Sequence, residues 1–301
     1  VVSLWLWSPD APPMDLRFYH DGLGQDSYEE QLEGLEITYE DYEPGFGRPE
    51  GIARTSELFI RPVSSTPSRE GLVSMAKLLN NPVLPVCEPE YYMETEVFGA
   101  LFGLPDRSSP EKAAIEQDLD WYFDFYAGEI ERRRWYGFWD YGDVMHSYDP
   151  YRHVWKYDVG GYAWDNSELS TDLWLWYYFL RSGRADVFRV AEAMTRHTGE
   201  VDVHHSGRFA PLGSRHNVRH WGCSAKQLRI STAANRRFYY YLTTDERVGA
   251  LLRAQVEGCR ALERIQAGRK IIPLMRTKPP EKKPGTAFLD FGTDWGAIAA
   301  A

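Results

Sequence analysis

From residue 88 onward the chain alternates two kinds of connection between helical stretches. Tight turns at 104–109, 181–184 and 243–246 alternate with long links at 135–166, 198–220 and 268–292. Few architectures accept that order. In a row of up-and-down hairpins, every second connection falls at the same end of the helices. The three long links are therefore expected on one rim.

The helices are read from apolar periodicity and end signals. A short helix is expected over 68–80, followed by a pair at 88–103 and 110–134. Ser109 is placed to cap the second of these, with Pro110 at its first position. Ile115, Leu119, Tyr122, Phe123 and Tyr126 recur at helical spacing and read as its core face. Further pairs are expected at 167–181 with 184–197 and at 221–242 with 245–267, and another helix from Thr293. Asp165 or Asn166 is a candidate cap for the helix at Ser167. Ahead of the helices, Val1–Trp7, Leu35–Tyr42 and Gly51–Ile60 read as strands punctuated by Gly, Pro and Asp, the tail of a larger β domain. The chain opens in what reads as mid-strand and closes in mid-helix, as a fragment would.

Charge narrows the partners. The net charge of −10 argues against general nucleic-acid binding and lends no support to membrane-surface binding. From Val203 to Thr244, however, there is no acid, while Arg208, Arg215, Arg219, Lys226, Arg229, Arg236 and Arg237 are present. A local positive field in an acidic protein suits a polyanion site; a solvated basic helix face explains 226–237 equally well. No stretch is apolar enough to cross a membrane, and no signal peptide is visible. Cys87, Cys223 and Cys259 lack metal-ligand spacing.

The long links at 136–168 and 204–222 concentrate His146, His153, His204, His205, His216 and His220 among Trp, Tyr and Gly. Polar, aromatic loops of this length are usually functional. His216 and His220 stand four apart without the Glu of the zinc-protease pattern, and no regular calcium loop surrounds Asp140, Asp143 or Asp158. No metal and no cofactor are therefore expected. No phosphate-binding glycine loop or serine-nucleophile elbow is visible.

The succession LWLWSPDAPPMDLRFY, RTSELFI, WYGFWDYGDVMHSYD, KYDVGGYAWDNSE and HNVRHWG resembles the exo-rhamnogalacturonan lyase-like proteins, polysaccharide lyase family 26 and relatives. The resemblance runs over roughly 1 to 265. It implies a mainly α chain, an incomplete α/α toroid preceded by strands from the end of a β-sandwich. Residues 1–63 would close the sandwich, 64–87 would be a linker with a short helix, and 88–301 a truncated toroid. The family's N-terminal barrel and last toroid helices are expected to lie outside this stretch. The implied partner is an acidic polysaccharide or oligosaccharide, with an extracellular or periplasmic location favoured.

A lyase cleaving beside a uronic acid needs three things: a positive group on the carboxylate, a base for the C5 proton and an acid for the leaving oxygen. Guanidinium suits the first task because it meets a carboxylate in a bidentate way. His and Tyr suit the proton transfers. Arg215 and Arg219 are assigned to the carboxylate, and His205 or His220 to the base. Tyr162 is the leading acid, with Tyr148 and Tyr157 as rivals. His204, His216, Trp139, Asp140, Asp143, Trp164 and Asn166 are expected to bind substrate. Core packing is at least as good a reading for the two Trp residues, as is a structural hydrogen bond for any single His. A glycoside hydrolase using Asp140, Asp143, Asp165 or Glu168 as its carboxylate pair is the alternative. A non-catalytic carbohydrate-binding protein is the third.

Overall fold

Ser68 and Ser109 do what their positions ask. Each hydroxyl accepts a hydrogen bond from the first turn of the helix it precedes, from Gly71 N and Lys112 N. In the computed structural model, which describes residues 3–6, 10, 48–157, 164–165, 167–216, 226–265, 285 and 292–301, these helices are α1 (Arg69–Asn80) and α3 (Pro110–Arg133). Between them lies α2 (Pro89–Glu94), much shorter than the expected 88–103. Its end is set by backbone: Glu96 has φ +52° and Gly99 φ +82°, which a helix cannot continue through.

After the long link come α4 (Thr171–Ser182) and α5 (Ala185–Glu200), a hairpin turned by Gly183 in the left-handed conformation. The next hairpin is α6 (Ala233–Thr243) with α7 (Glu246–Val256). Asp245 caps α7 by accepting from Arg247 N and Val248 N. A final helix, α8, spans Thr293–Ala300. Short 3-10 segments at Ser167–Leu169, Arg229–Ser231 and Glu257–Glu263 absorb the ends that sequence periodicity assigned to the longer helices. The main core is aromatic, built on Phe123, Trp135, Trp155, Trp164, Trp176 and Phe179. A smaller core gathers Phe209, Leu212, Leu228 and Leu262.

Two expectations need correction. Residues 51–60 form no strand, and Leu58, Phe59 and Ile60 are exposed. On α3 the core face runs through Glu116, Phe123 and Glu129, while Ile115 and Tyr122 point to solvent. The buried Glu116 is compensated by a bidentate pair with Arg181 (2.6 and 2.8 Å) and buried Glu129 by the Trp155 indole (2.8 Å). The Arg181 ion pair and the indole hydrogen bond let the helix turn a partly polar stripe inward. The only sheet among the described residues is a two-stranded hairpin, β1 (Tyr148–Asp149) with β2 (Val154–Trp155). The strands expected at Val1–Trp7 and Leu35–Tyr42 lie mostly or wholly outside the described residues. None of the described helices is long and apolar enough to cross a membrane.

Candidate functional site

The two long links meet. Gly142, at φ +92°, lies so close to α5 that a Cβ there would stand 2.1 Å from the Ala193 carbonyl oxygen. That approach carries Asp143 to the last turn of α5, where its Oδ2 is 2.9 Å from His197 Nε2. From the later link, His216 brings its Nε2 to 3.1 Å from the same nitrogen and 3.6 Å from Asp143 Oδ2. Asp202, just beyond α5, stands 3.6 Å from His197 and 3.2 Å from His216. All four side chains are buried, none more than 2% exposed.

Burial opposes a charge on either imidazole, but the carboxylates of Asp143 and Asp202 outweigh it and raise both pKa values.

A second group, less deeply buried, lies alongside. Arg215 donates through Nε and Nη2 to Glu168 Oε2 (2.9 and 2.7 Å), and Arg229 Nη2 stands 3.3 Å from Glu168 Oε1. Two guanidinium groups thus share one carboxylate, and Asp294 accepts from the Arg229 backbone N at 3.1 Å. His146 is near, with a side chain 30% exposed and Nδ1 3.8 Å from Asp165 Oδ1. Burial and the Arg215 charge lower the His146 pKa and keep the ring neutral. Burial, eased by the Thr171 hydroxyl (2.6 Å), pushes Asp165 up to about 7. A neutral base beside a carboxylic acid poised near neutrality is an arrangement suited to proton transfer.

Several expected residues stand elsewhere. His204 is fully buried, its Nδ1 on the Glu50 carbonyl (2.7 Å), so it cannot meet a polymer. His205 turns Nε2 to the Glu200 carbonyl at 2.9 Å. Trp164 is a core residue, edge-on to Trp135, and Trp139 is half-buried and edge-on to Phe138. Asp140 is buried, which raises its pKa. Asp143 and His216 belong to the buried cluster rather than to a substrate surface, and Arg215 is 6% exposed. Asp165 accepts from the Thr171 side chain instead of capping a backbone. Tyr162, Asn166, Arg219 and His220 lie outside the described residues, as does the expected helix start near Trp221; α6 begins only at Ala233. Sequence reasoning did not single out His197 or Asp202, and it gave His146 and Arg229 no catalytic task.

A mainly helical chain of hairpins, carrying a charged, histidine-rich site where its long links meet, fits an α/α toroid. The chain belongs to the PcRGLX-like family, whose C-terminal alpha/alpha toroid domain matches residues 81–301 and whose central beta sandwich domain matches residues 1–77. A protein of Bacillus subtilis (strain 168), described as uncharacterized protein YetA, is 46% identical over 299 residues, covering 99% of this chain and 33% of the relative. The chain thus spans about a third of that relative's length.

Proposed function

We propose that this chain is the toroid part of a polysaccharide lyase that cleaves a uronate-containing, rhamnogalacturonan-like glycan by β-elimination. Membership of the PcRGLX-like family over residues 81–301 carries this reading. In the proposed step, neutral His146 takes the C5 proton of the uronate. The electron pair forms the C4–C5 double bond, the C4–O bond breaks, and Asp165 protonates the departing oxygen. Arg229, with Arg215 behind it on Glu168, neutralises the uronate carboxylate so that C5 becomes acidic. Tyr162, Arg219 and His220 remain part of the proposal as further acid, carboxylate-binding and base groups.

The second reading is a glycoside hydrolase, favoured by the raised pKa of Asp165, which suits a general acid. The test uses the full-length protein with pectic oligosaccharides. A lyase yields an unsaturated uronate absorbing in the near ultraviolet, and His146→Ala and Asp165→Asn each lower turnover roughly 10²-fold or more with the fold intact. Reducing ends without that absorbance indicate the hydrolase. Binding without cleavage of any uronate glycan overturns both.

A further inference from the structure

The cluster of Asp143, His197, His216 and Asp202 has no task in that reaction, and its composition is costly as it stands. Asp143 Oδ2 and both carboxylate oxygens of Asp202 are buried and make no hydrogen bond of proper geometry among the described residues. Buried carboxylates left so are strongly penalised unless a cation compensates them. Two imidazole nitrogens also converge to 3.1 Å between these carboxylates. One ligand atom each from Asp143, His197 and His216 lies within 4.8 Å of the others. Separations of 2.9, 3.1 and 3.6 Å among them bracket the edge of about 3.3 Å expected around a tetrahedral ion with bonds near 2.0 Å.

We propose that Asp143, His197 and His216 bind a divalent metal ion, with Asp202 as the fourth ligand. Two imidazoles and two carboxylates are a borderline donor set that suits Zn²⁺ above Mg²⁺ or Ca²⁺, which prefer all-oxygen shells. The near-complete burial of the ligands leaves no open position for substrate, so the ion is structural. It ties the earlier long link, the end of α5 and the later long link to one point, and so fixes the floor beneath His146 and Arg215. On this proposal the sequence-based expectation of no metal is set aside, and for a definite reason. The ligands stand at 143, 197, 202 and 216, and no short spacing motif joins them.

The test needs no activity assay and so stands apart from the lyase reading. Full-length protein without a histidine tag is purified and its metals are measured by mass spectrometry. Its thermal unfolding is then followed before and after treatment with a chelator and re-addition of Zn²⁺. About one equivalent per chain is expected, with the unfolding midpoint lowered on removal and restored by Zn²⁺. Co²⁺ added to stripped wild-type protein should give the intense visible bands of a four-coordinate site. His216→Ala and Asp202→Asn should lose the metal, whereas His204→Asn should keep it. Wild-type protein with no bound metal, no shift in midpoint with Zn²⁺ and no Co²⁺ spectrum overturns the proposal, whether or not the variants fold.

Discussion

Gly142 shows how much one residue can decide. Any side chain there meets the Ala193 carbonyl and must hold φ near +92°, a conformation L-residues rarely adopt. Gly142→Ala is expected to cost about 3 kcal/mol or more in urea unfolding and to move Asp143 away from His197; an unchanged midpoint would contradict the close approach. His204 yields a prediction in pH. Burial first, and then the Lys226 charge, lower its pKa to about 3 in the folded protein. The unfolded ring titrates near 6.5, so the stability this residue contributes is present above that value and is lost as pH falls toward 3. His204→Asn keeps a donor for the Glu50 carbonyl but cannot titrate, and should make stability fall less steeply between pH 6.5 and 4, by roughly 2–4 kcal/mol at the acid end. Residues like these were the least legible in sequence. His197 sits on the buried stripe of α5 with Val187, Ala191 and Met194, where a lone histidine looks like an ordinary satisfied core residue. Its meaning depends on Asp143, 54 positions earlier, and no local pattern carries that.

At the scale of elements, hairpin turns and caps were readable because they are local chemistry: a serine before Pro110, a glycine after Ser182, Asp245 ahead of α7. What the sequence did not reveal were features that depend on partners distant along the chain. The stretch 51–60 reads as a plausible strand after a Gly- and Pro-rich break, yet strand pairing requires neighbours, and residues 50–57 spend their polar groups on α5 and the long links instead. On α3, Leu119, Phe123 and Tyr126 pack on the core as expected, whereas Ile115 and Tyr122 face solvent and the acids Glu116 and Glu129 turn inward. The pair of Glu116 with Arg181 joins α3 to the end of α4, and the Arg181 hydrogen bonds lower the Glu116 pKa against a burial cost that raises it. Its stabilisation is therefore present above the ordinary glutamate range and lost as pH falls through the lowered value. Glu116→Ala should destabilise by about 2–4 kcal/mol at neutral pH, because Arg181 is left mostly buried without its partner. Arg181→Met combined with Glu116→Leu should recover much of that loss, and failure to recover would argue that the pair also fixes the geometry of the α3–α4 contact.

Across the whole molecule, the alternation of short and long connections was the most informative sequence feature. It called for the links around 135–166 and 198–220 to share an end of the hairpins, and the described parts of both do meet at Asp143 and His216. The third long link lies almost wholly outside the described residues. The proposed ligands and proton carriers were not legible from that alternation, since it fixes which ends meet but not which side chains face each other.

The stretch 50–57 carries its own consequence. It falls within the span matching the sandwich domain, but its bonds go to the toroid: Thr55 N to Glu200 Oε2 at 2.7 Å, Arg54 Nη1 to the Tyr141 carbonyl at 2.8 Å, and the Gly51 carbonyl accepting from His205 N at 2.7 Å. Residues 61–66, a few positions further on, are exposed. A protease nick within 61–66 should therefore leave two polypeptides that travel as one species on gel filtration and come apart only in urea. Spontaneous separation of the nicked pieces would show that this belt does not hold. If it does hold, the covalent junction between the two family modules lies downstream of the place where they are physically fastened.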